Sequence, residues 1–549
     1  FGSRFTSRRA TRTGAEPARR GARWTAMGLL RALGALVGLA GVARAHHIVV
    51  VDCGSTGSRS HLFEYPERVQ IANTSALRRN IVSGSPVSYP TMVAHFKVSP
   101  GISSFADNPG DVAKGLKTII DLTVEAVRKR KPNADLGGIP IYLGATAGMR
   151  VLTDEVRDAI MLAVREFLGG PDCPFDFPRP EQARVLSGEE EGAFGWLAAN
   201  KKMGTLTSDA AVAYGALDMG GASAQISFLP IETSVLAHMF PIHIGNFKTG
   251  PIHLYTHSYL KFGYSIAFRT SGLFASFGSS TFTHPCLPRG LVWHVDEKVF
   301  GVATDSGAPE REHGPVTMSG GGNFYQCRTL ARSLMVQTYC TTEPCSLLGV
   351  YLPTHSKNTF LAFSEFKSNF DRMNITADTV APPLEALAAR LVSWCSMSLE
   401  EQAAISKEKI GTWKAKLELS CWLGTWILEF LTTGLGFPED TRQISLVGSD
   451  FDIGWAEGQA IYEASYFPYK LVEPARERRT ELGSALAGAP VEAVPTALRA
   501  EQPPPPPWSP LLASLCAAVA LGGVFAGRLL ERHLGQRGPR GRPSWALLG

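Results

Sequence analysis

Hydrophobic positions along the chain change their period several times, and the changes divide it into elements. His47 to Asp52 is a short run dominated by β-branched residues. Gly54 to Arg59 then supply a glycine- and hydroxyl-rich turn before the alternating His61-Leu62-Phe63-Glu64-Tyr65, so the stretch reads as a β-hairpin. Ala113 to Arg130 carries the helical period. Ile139 to Leu143 is a short buried strand running into Gly144-Ala145-Thr146-Ala147-Gly148, and Asp154 to Leu168 is a second amphipathic helix. Between Ala213 and Phe228 come a strand, the turn Gly220-Gly221 and another strand. An apolar strand ending in Asp and followed by a glycine hairpin thus occurs twice, at Asp52 and at Asp218. That repeat predicts two similar lobes facing each other. Leu384 to Phe430 is largely helical with a break near Gly411, and Ser445 to Tyr462 reads as a strand, the turn Gly448-Ser449 and a helix beginning after Asp452.

At 549 residues the chain exceeds one compact core and suits two domains, or a two-lobed fold with extensions. The net charge of +5 is no argument for nucleic acid, because seven arginines against one glutamate in residues 1 to 26 account for the surplus. The ends differ from the body. Read from Met27, the apolar run Leu33 to Val42 leads to Ala43-Arg44-Ala45, the form of a signal-peptidase site, which would leave His46 first. The other reading is an uncleaved anchor over Leu29 to Ala45. Ala485 to Trp508, rich in Ala, Pro and Glu and including Pro503 to Pro507, is expected to be a stalk. Leu511 to Leu530 is then a transmembrane helix candidate, apolar or small except at Arg528. The basic tail with Arg532, Arg537, Arg540 and Arg542 puts that end in the cytoplasm and the large domain outside the cell or in a lumen. The protein is single-pass if the N-terminal run is cleaved and two-pass if it is not, and the transmembrane helix offers a route to oligomers.

Of nine cysteines, six fall between 286 and 421, as in a second half stapled in an oxidising compartment. Cys53 lies in a glycine loop and Cys516 in the apolar run, where neither is an obvious staple. Asn73-Thr74-Ser75 and Asn374-Ile375-Thr376 are sequons that a lumen would glycosylate.

Each glycine hairpin places backbone N–H groups and small hydroxyls around a tight turn, which suits a polyphosphate, since glycine admits close approach and amides carry partial positive charge. Two facing loops can grip it from both sides. The Asp at each strand end can hold the water shell of a Mg²⁺ or Ca²⁺ ion bridging the phosphates. Taken singly, each loop is equally readable as an ordinary β-turn.

Five segments occur in order: Asp52-Cys53-Gly54-Ser55-Thr56-Gly57-Ser58-Arg59, Gly144-Ala145-Thr146-Ala147-Gly148-Met149-Arg150, Leu186-Ser187-Gly188-Glu189-Glu190-Glu191-Gly192-Ala193-Phe194-Gly195-Trp196, Leu217-Asp218-Met219-Gly220-Gly221-Ala222-Ser223-Ala224-Gln225 and Asp452-Ile453-Gly454-Trp455-Ala456-Glu457-Gly458. They resemble the five signature regions of the ecto-nucleoside triphosphate diphosphohydrolase (apyrase) family, membrane-bound type, over about His47 to Tyr469. The resemblance implies an α/β fold of two RNase H-like lobes, as in actin, sugar kinases and heat-shock chaperones, with the active site in the cleft. It implies lobe I at 46–187, completed by about 446–475, and lobe II at 188–445. The extension 1–45, stalk 476–510, transmembrane helix 511–530 and cytoplasmic tail 531–549 flank them.

Carried onto these positions, the family pattern makes Glu191 the general base, with Ser223 and Gln225 holding the attacking water and Thr146 near the terminal phosphate. Ser55, Thr56, Gly57, Ser58, Gly220, Gly221 and Ala222 would cradle phosphates, and Trp455 would lie near the nucleoside. Asp52 and Asp218 would hold the divalent cation, Ca²⁺ or Mg²⁺, through water, with Asp452 a further candidate. The expected activity is hydrolysis of nucleoside tri- and diphosphates. The alternatives are an ATP-driven kinase or chaperone of the same fold and a nucleotide-binding membrane protein. The same pattern implies the pairs Cys286 with Cys327, Cys340 with Cys345, and Cys395 with Cys421. The chain departs from cell-surface members at Lys261, where they carry a cysteine, so that a whole disulfide is expected to be gone, and at Tyr264 and Ser368, which touches nucleobase preference, while Cys53, Gly57-Ser58-Arg59 and His284-Pro285-Cys286-Leu287-Pro288 look more like the Golgi and lysosomal branch.

Overall fold

The computed structural model of the protein describes residues 45–472, with gaps at 67–68, 72–88, 207–208, 210, 232–236, 243–251, 296–315, 337, 341, 375–380, 411–416, 448–452 and 466–469. The signal or anchor run, the stalk, the apolar run 511–530, the tail, the Asn73 sequon, Gly411 and Asp452 lie outside the described residues. Among those that are described, no helix is long and apolar enough to cross a membrane.

The first half builds a sheet from β1 (Ala45–Cys53), β2 (Ser58–Pro66), β3 (Thr91–Val98), β4 (Ile141–Ala145) and β5 (Ala183–Val185), ordered β3-β2-β1-β4-β5. The β1–β2 and β2–β3 pairs are antiparallel, whereas β4 joins β1, and β5 joins β4, in parallel. Ile48, Val49, Val50 and Val51 have no exposed surface. A strand covered on both faces needs an unbroken apolar run rather than alternation, which is what β1 carries. Val49 and Val51 face the core formed with α1 (Val112–Arg130) and α2 (Asp154–Leu168), while Ile48 and Val50 face a second core on the other side. The buried positions of α1, Val112, Leu116, Ile119, Ile120, Thr123 and Val127, recur at three- and four-residue spacing and lay one face on the sheet.

The second half repeats the plan. Its strands β6 (Gly215–Met219), β7 (Ser223–Phe228), β8 (Met239–Ile242), β9 (Ile252–Leu260), β10 (Phe360–Ser364) and β11 (Ile444–Leu446) are ordered β11-β10-β6-β7-β9-β8. Again three antiparallel strands are followed by two parallel ones, with β8 added at the edge. The repeat read from two Asp-glycine hairpins is therefore a repeat of whole sheets with RNase H-like strand order. Between the sheets lie α3 (Gly188–Met203) and α6 (Trp455–Ser465). One apolar cluster joins Ile48 and Val50 of the first sheet, Phe194, Trp196, Leu197 and Ala460 of these helices, and Ala216 and Leu361 of the second sheet.

The second half is stapled at Cys286–Cys327, Cys340–Cys345 and Cys395–Cys421, the three pairs the resemblance implied. Cys53 and Cys173 are free and buried. The last pair ties a helix at Leu384–Ser396 to α5 (Ser420–Glu429), whose Trp422 and Trp426 are almost wholly buried.

Candidate active site

The two hairpins meet tip to tip. In the first, Gly54 N–H donates to the Gly57 carbonyl at 3.0 Å, and in the second, Gly220 N–H donates to the Ser223 carbonyl at 3.0 Å. A side-chain carbon at Gly221 would lie 2.6 Å from Ser55 Oγ, so the glycine lets the loops come this close without displacing that hydroxyl. The backbone N–H groups of Tyr264 and Ser265 donate to the Gly220 and Gly221 carbonyls, tying the second loop to the start of α4 (Tyr264–Ser276). Asp52 and Asp218 end their strands at equivalent places, opposite Arg59 and Gln225 respectively. Thr146 is buried at the end of β4, with its N–H donating to the Cys53 carbonyl at 3.1 Å beside the first loop.

The start of α3 sorts its three glutamates. Ser187 caps the helix: its Oγ accepts from Glu190 N–H, and the Glu190 carboxylate accepts from Ser187 N–H, both at 3.1 Å. Glu190 also pairs with Arg184 at 2.6 Å. Glu189 is on the outside, near His257. Helical rotation turns Glu191 inward, where it is 9% exposed. Gly192 beside it lies against Thr256 and Ser227, where a side chain would collide, so α3 can lie directly on β7 and β9.

Two side chains donate to Glu191, and two serine hydroxyls join them in one network. Glu191 Oε2 accepts from Arg150 Nη2 at 2.8 Å and from Gln225 Nε2 at 3.2 Å. Gln225 Nε2 also donates to Ser223 Oγ at 2.7 Å and to Ser258 Oγ at 3.1 Å, and Arg150 Nη2 reaches Ser223 Oγ at 3.2 Å. Burial pushes the Glu191 carboxyl up to about 7; Arg150 opposes the shift, and the charges of Asp218 and Asp52 add to it. Burial likewise pushes Asp218 up to about 6, opposed by a hydrogen bond from Ser364 and helped by Asp52. Asp52 is also raised by burial, against the pull of Arg59 at 3.2 Å and of a hydrogen bond from the Trp455 indole. Burial raises all three acids, and Asp52 raises the other two further, so Glu191 and Asp218 can take up a proton near neutrality.

The structure brings Glu191, Ser223 and Gln225 into one hydrogen-bonded group and brings the loops of Asp52 and Asp218 together. Trp455 lies behind Asp52 in the core: a side-chain carbon at Gly144 would lie 2.5 Å from its ring. Tyr264 is buried, and the hydroxyl of the exposed Ser368 donates to the Ser364 carbonyl at 2.9 Å. Sequence reading assigned no role to Arg59, Arg150, Ser258 or Ser364. The first two lay inside quoted motifs, whereas Ser364 arrives from β10 with no local signal. Among the described residues no group of three or more His, Cys, Asp or Glu is placed to enclose a metal ion. Asp52 and Asp218 are nevertheless hard oxygen donors on abutting loops, each unfavourable as a carboxylate, and they fit a hydrated divalent cation.

Residues 41–478 match the model of the GDA1/CD39 (nucleoside phosphatase) family. The chain is 29% identical over 433 residues to probable apyrase 4 of Arabidopsis thaliana, covering 76% of this chain and 79% of that one. It is 30% identical over 395 residues to ectonucleoside triphosphate diphosphohydrolase 2 of Homo sapiens, covering 67% and 74%. A crystal structure of nucleoside triphosphate hydrolases from Neospora caninum superposes with a TM-score of 0.57 at 17% identity, covering 80% of this chain and 97% of that one, a likeness of fold.

Proposed function

This chain belongs to the GDA1/CD39 (nucleoside phosphatase) family and is a nucleotide-hydrolysing enzyme, and from that premise we propose that it cleaves nucleoside tri- and diphosphates with a water activated by Glu191. The observation that carries the proposal is the buried group around Glu191, whose carboxyl is raised to about 7 while Gln225 and Arg150 each donate both to it and to Ser223 Oγ. A base poised near neutrality takes a proton most effectively at neutral pH.

In this reading Ser223 and Gln225 hold the water in line with the terminal phosphorus, and Glu191 accepts its proton as the new P–O bond forms and the anhydride bond breaks. Orthophosphate and a shortened nucleotide leave. Backbone N–H groups and hydroxyls of Ser55 to Ser58 and Gly220 to Ala222 orient the phosphates, with Thr146 beside them. Asp52 and Asp218 would hold Ca²⁺ or Mg²⁺ through water, with Trp455 bracing Asp52. When bound, the ion would neutralise phosphate charge. The active cleft is proposed to lie between lobe I, 46–187 with 446–475, and lobe II, 188–445. The run 511–530 is proposed to anchor the protein with that domain in a lumen or outside the cell, where the three disulfides persist.

The test is phosphate release from ATP and UDP with and without EDTA. Release that needs no second acceptor and stops with the chelator supports the reading. Transfer to glucose instead of water would overturn it in favour of a kinase, and binding without release would leave only a receptor.

A further inference from the structure

Arg59 stands where the positive charge of the proposed reaction would be seated. Its Nη1 lies 3.2 Å from Asp52 Oδ2, and the Asp52 side chain is 14% exposed against 34% for Arg59. The placement follows from register, since Asp52 and Arg59 face each other across β1 and β2. At the equivalent place in the second hairpin, Asp218 faces Gln225, the amide that joins Ser223 to Glu191. One copy of the repeat therefore carries a cation where the other carries a neutral donor. The Arg59 charge favours the ionised form of Asp52 and also of Asp218. Lys97, opposite Arg59 on β3, acts on Asp52 in the same direction but ranks below it.

We propose that Arg59 is a built-in competitor for the divalent cation: it holds Asp52 Oδ2 in the ion-free enzyme and turns to the phosphate chain when ion and nucleotide bind together. The inference rests on the reading that Asp52 and Asp218 hold an ion through water. A guanidinium on Asp52 Oδ2 takes up acceptor capacity that an ion's water shell would use, and two cations a few ångströms apart repel. Phosphate oxygens remove both obstacles, because they accept the guanidinium and screen it from the ion. The ion alone should then bind weakly, and the ion with nucleotide tightly.

The experiment is calorimetric titration of the purified full chain with CaCl₂ and MgCl₂, without nucleotide, for wild type, Arg59→Gln, Arg59→Lys and Asp218→Asn. Arg59→Gln should tighten ion binding by about 5- to 150-fold, the usual span of a site-to-site coupling, while raising KM for the nucleotide. Arg59→Lys, with a single ammonium in place of a planar fork, should show a smaller increase in the same direction and serves if the Gln variant does not fold. If Asp218→Asn loses the ion but neither Arg59 variant binds it more tightly than wild type, the competitor role is refuted and the two-aspartate site stands. If Asp218→Asn binds the ion as wild type does, the site itself is wrong and this inference falls with it.

Discussion

Replacing Glu191 by Gln removes a proton acceptor and little else. Arg150 and Gln225 both donate to Oε2, and the amide oxygen of Gln can take that place, so nucleotide binding should survive. The loss should fall on turnover. General-base catalysis is typically worth ~10²–10⁴-fold, or about 3–5 kcal/mol of barrier at ~1.4 kcal/mol per decade. The perturbed carboxyl adds two signatures. With its value raised to about 7 by burial, wild-type kcat/KM should climb with pH to a limb near 7, drawn lower wherever a cation binds beside Asp52 and Asp218. The variant should lack that limb. The folded chain also holds this proton more tightly than the unfolded chain, whose value is near 4.5. The stabilisation is therefore complete below the unfolded value and is lost as pH rises through the folded one. A shift of this size is on the order of 3 kcal/mol, and Asp218 acts with the same sign. Glu191→Gln should accordingly be the more stable protein above pH 7 without metal. Phosphate release from pH 5 to 9, binding of a non-hydrolysable ATP analogue, and urea unfolding at pH 5 and 8 test all three. A variant keeping more than about a tenth of wild-type turnover, or an unaltered acid limb, would refute the assignment of the base.

Asp52→Ala and Asp218→Ala should each weaken metal-dependent hydrolysis strongly, and activity against metal concentration should show the double mutant losing less than the two single losses multiplied together. Independent multiplication would separate the two carboxylates. Arg150→Ala removes the charge that lowers Glu191, so the acid limb should move to higher pH and kcat should fall as Ser223 loses a partner; a limb moving the other way contradicts the geometry. Thiol labelling of the folded, unreduced protein should miss Cys286, Cys327, Cys340, Cys345, Cys395 and Cys421, and should reach the buried Cys53 and Cys173 only after denaturation. On the chain-entropy model, removing the Cys395–Cys421 bridge, with its separation of 26 residues, should cost about 3.5 kcal/mol in urea unfolding.

Much of the architecture was legible along the chain because it is locally encoded. The run Ile48 to Val51 needs two covering layers, the period of Val112 to Val127 needs one, and the glycines after Asp52 and Asp218 need tight turns. Those local rules were enough to expose the repeat. The resemblance then supplied what no local rule could, the cysteine pairs and the choice of Glu191. The structure adds a physical reason for that choice: Glu190 is taken by the helix cap and Glu189 faces outward.

Tertiary structure alone decided which polar groups meet. Arg150 comes from the short helix after β4, Glu191 from α3, Gln225 from β7, Ser258 from β9 and Ser364 from β10, yet Arg150 and Gln225 both donate to Glu191, Ser258 accepts from Gln225, and Ser364 donates to Asp218. Nothing in the spacing of these residues along the chain encodes that meeting, because it depends on how α3 lies on the second sheet and how the two hairpin tips abut. The raised acids belong to the same level. A carboxylate's affinity for its proton is set by the water it loses and the charges brought near it, and both are properties of the folded interior. Composition and order of residues determined the elements, their repetition and the candidate chemistry. The folded arrangement determined the protonation, the partners and the place of Arg59, since electrostatic energy depends on distance and burial in space rather than on position in sequence.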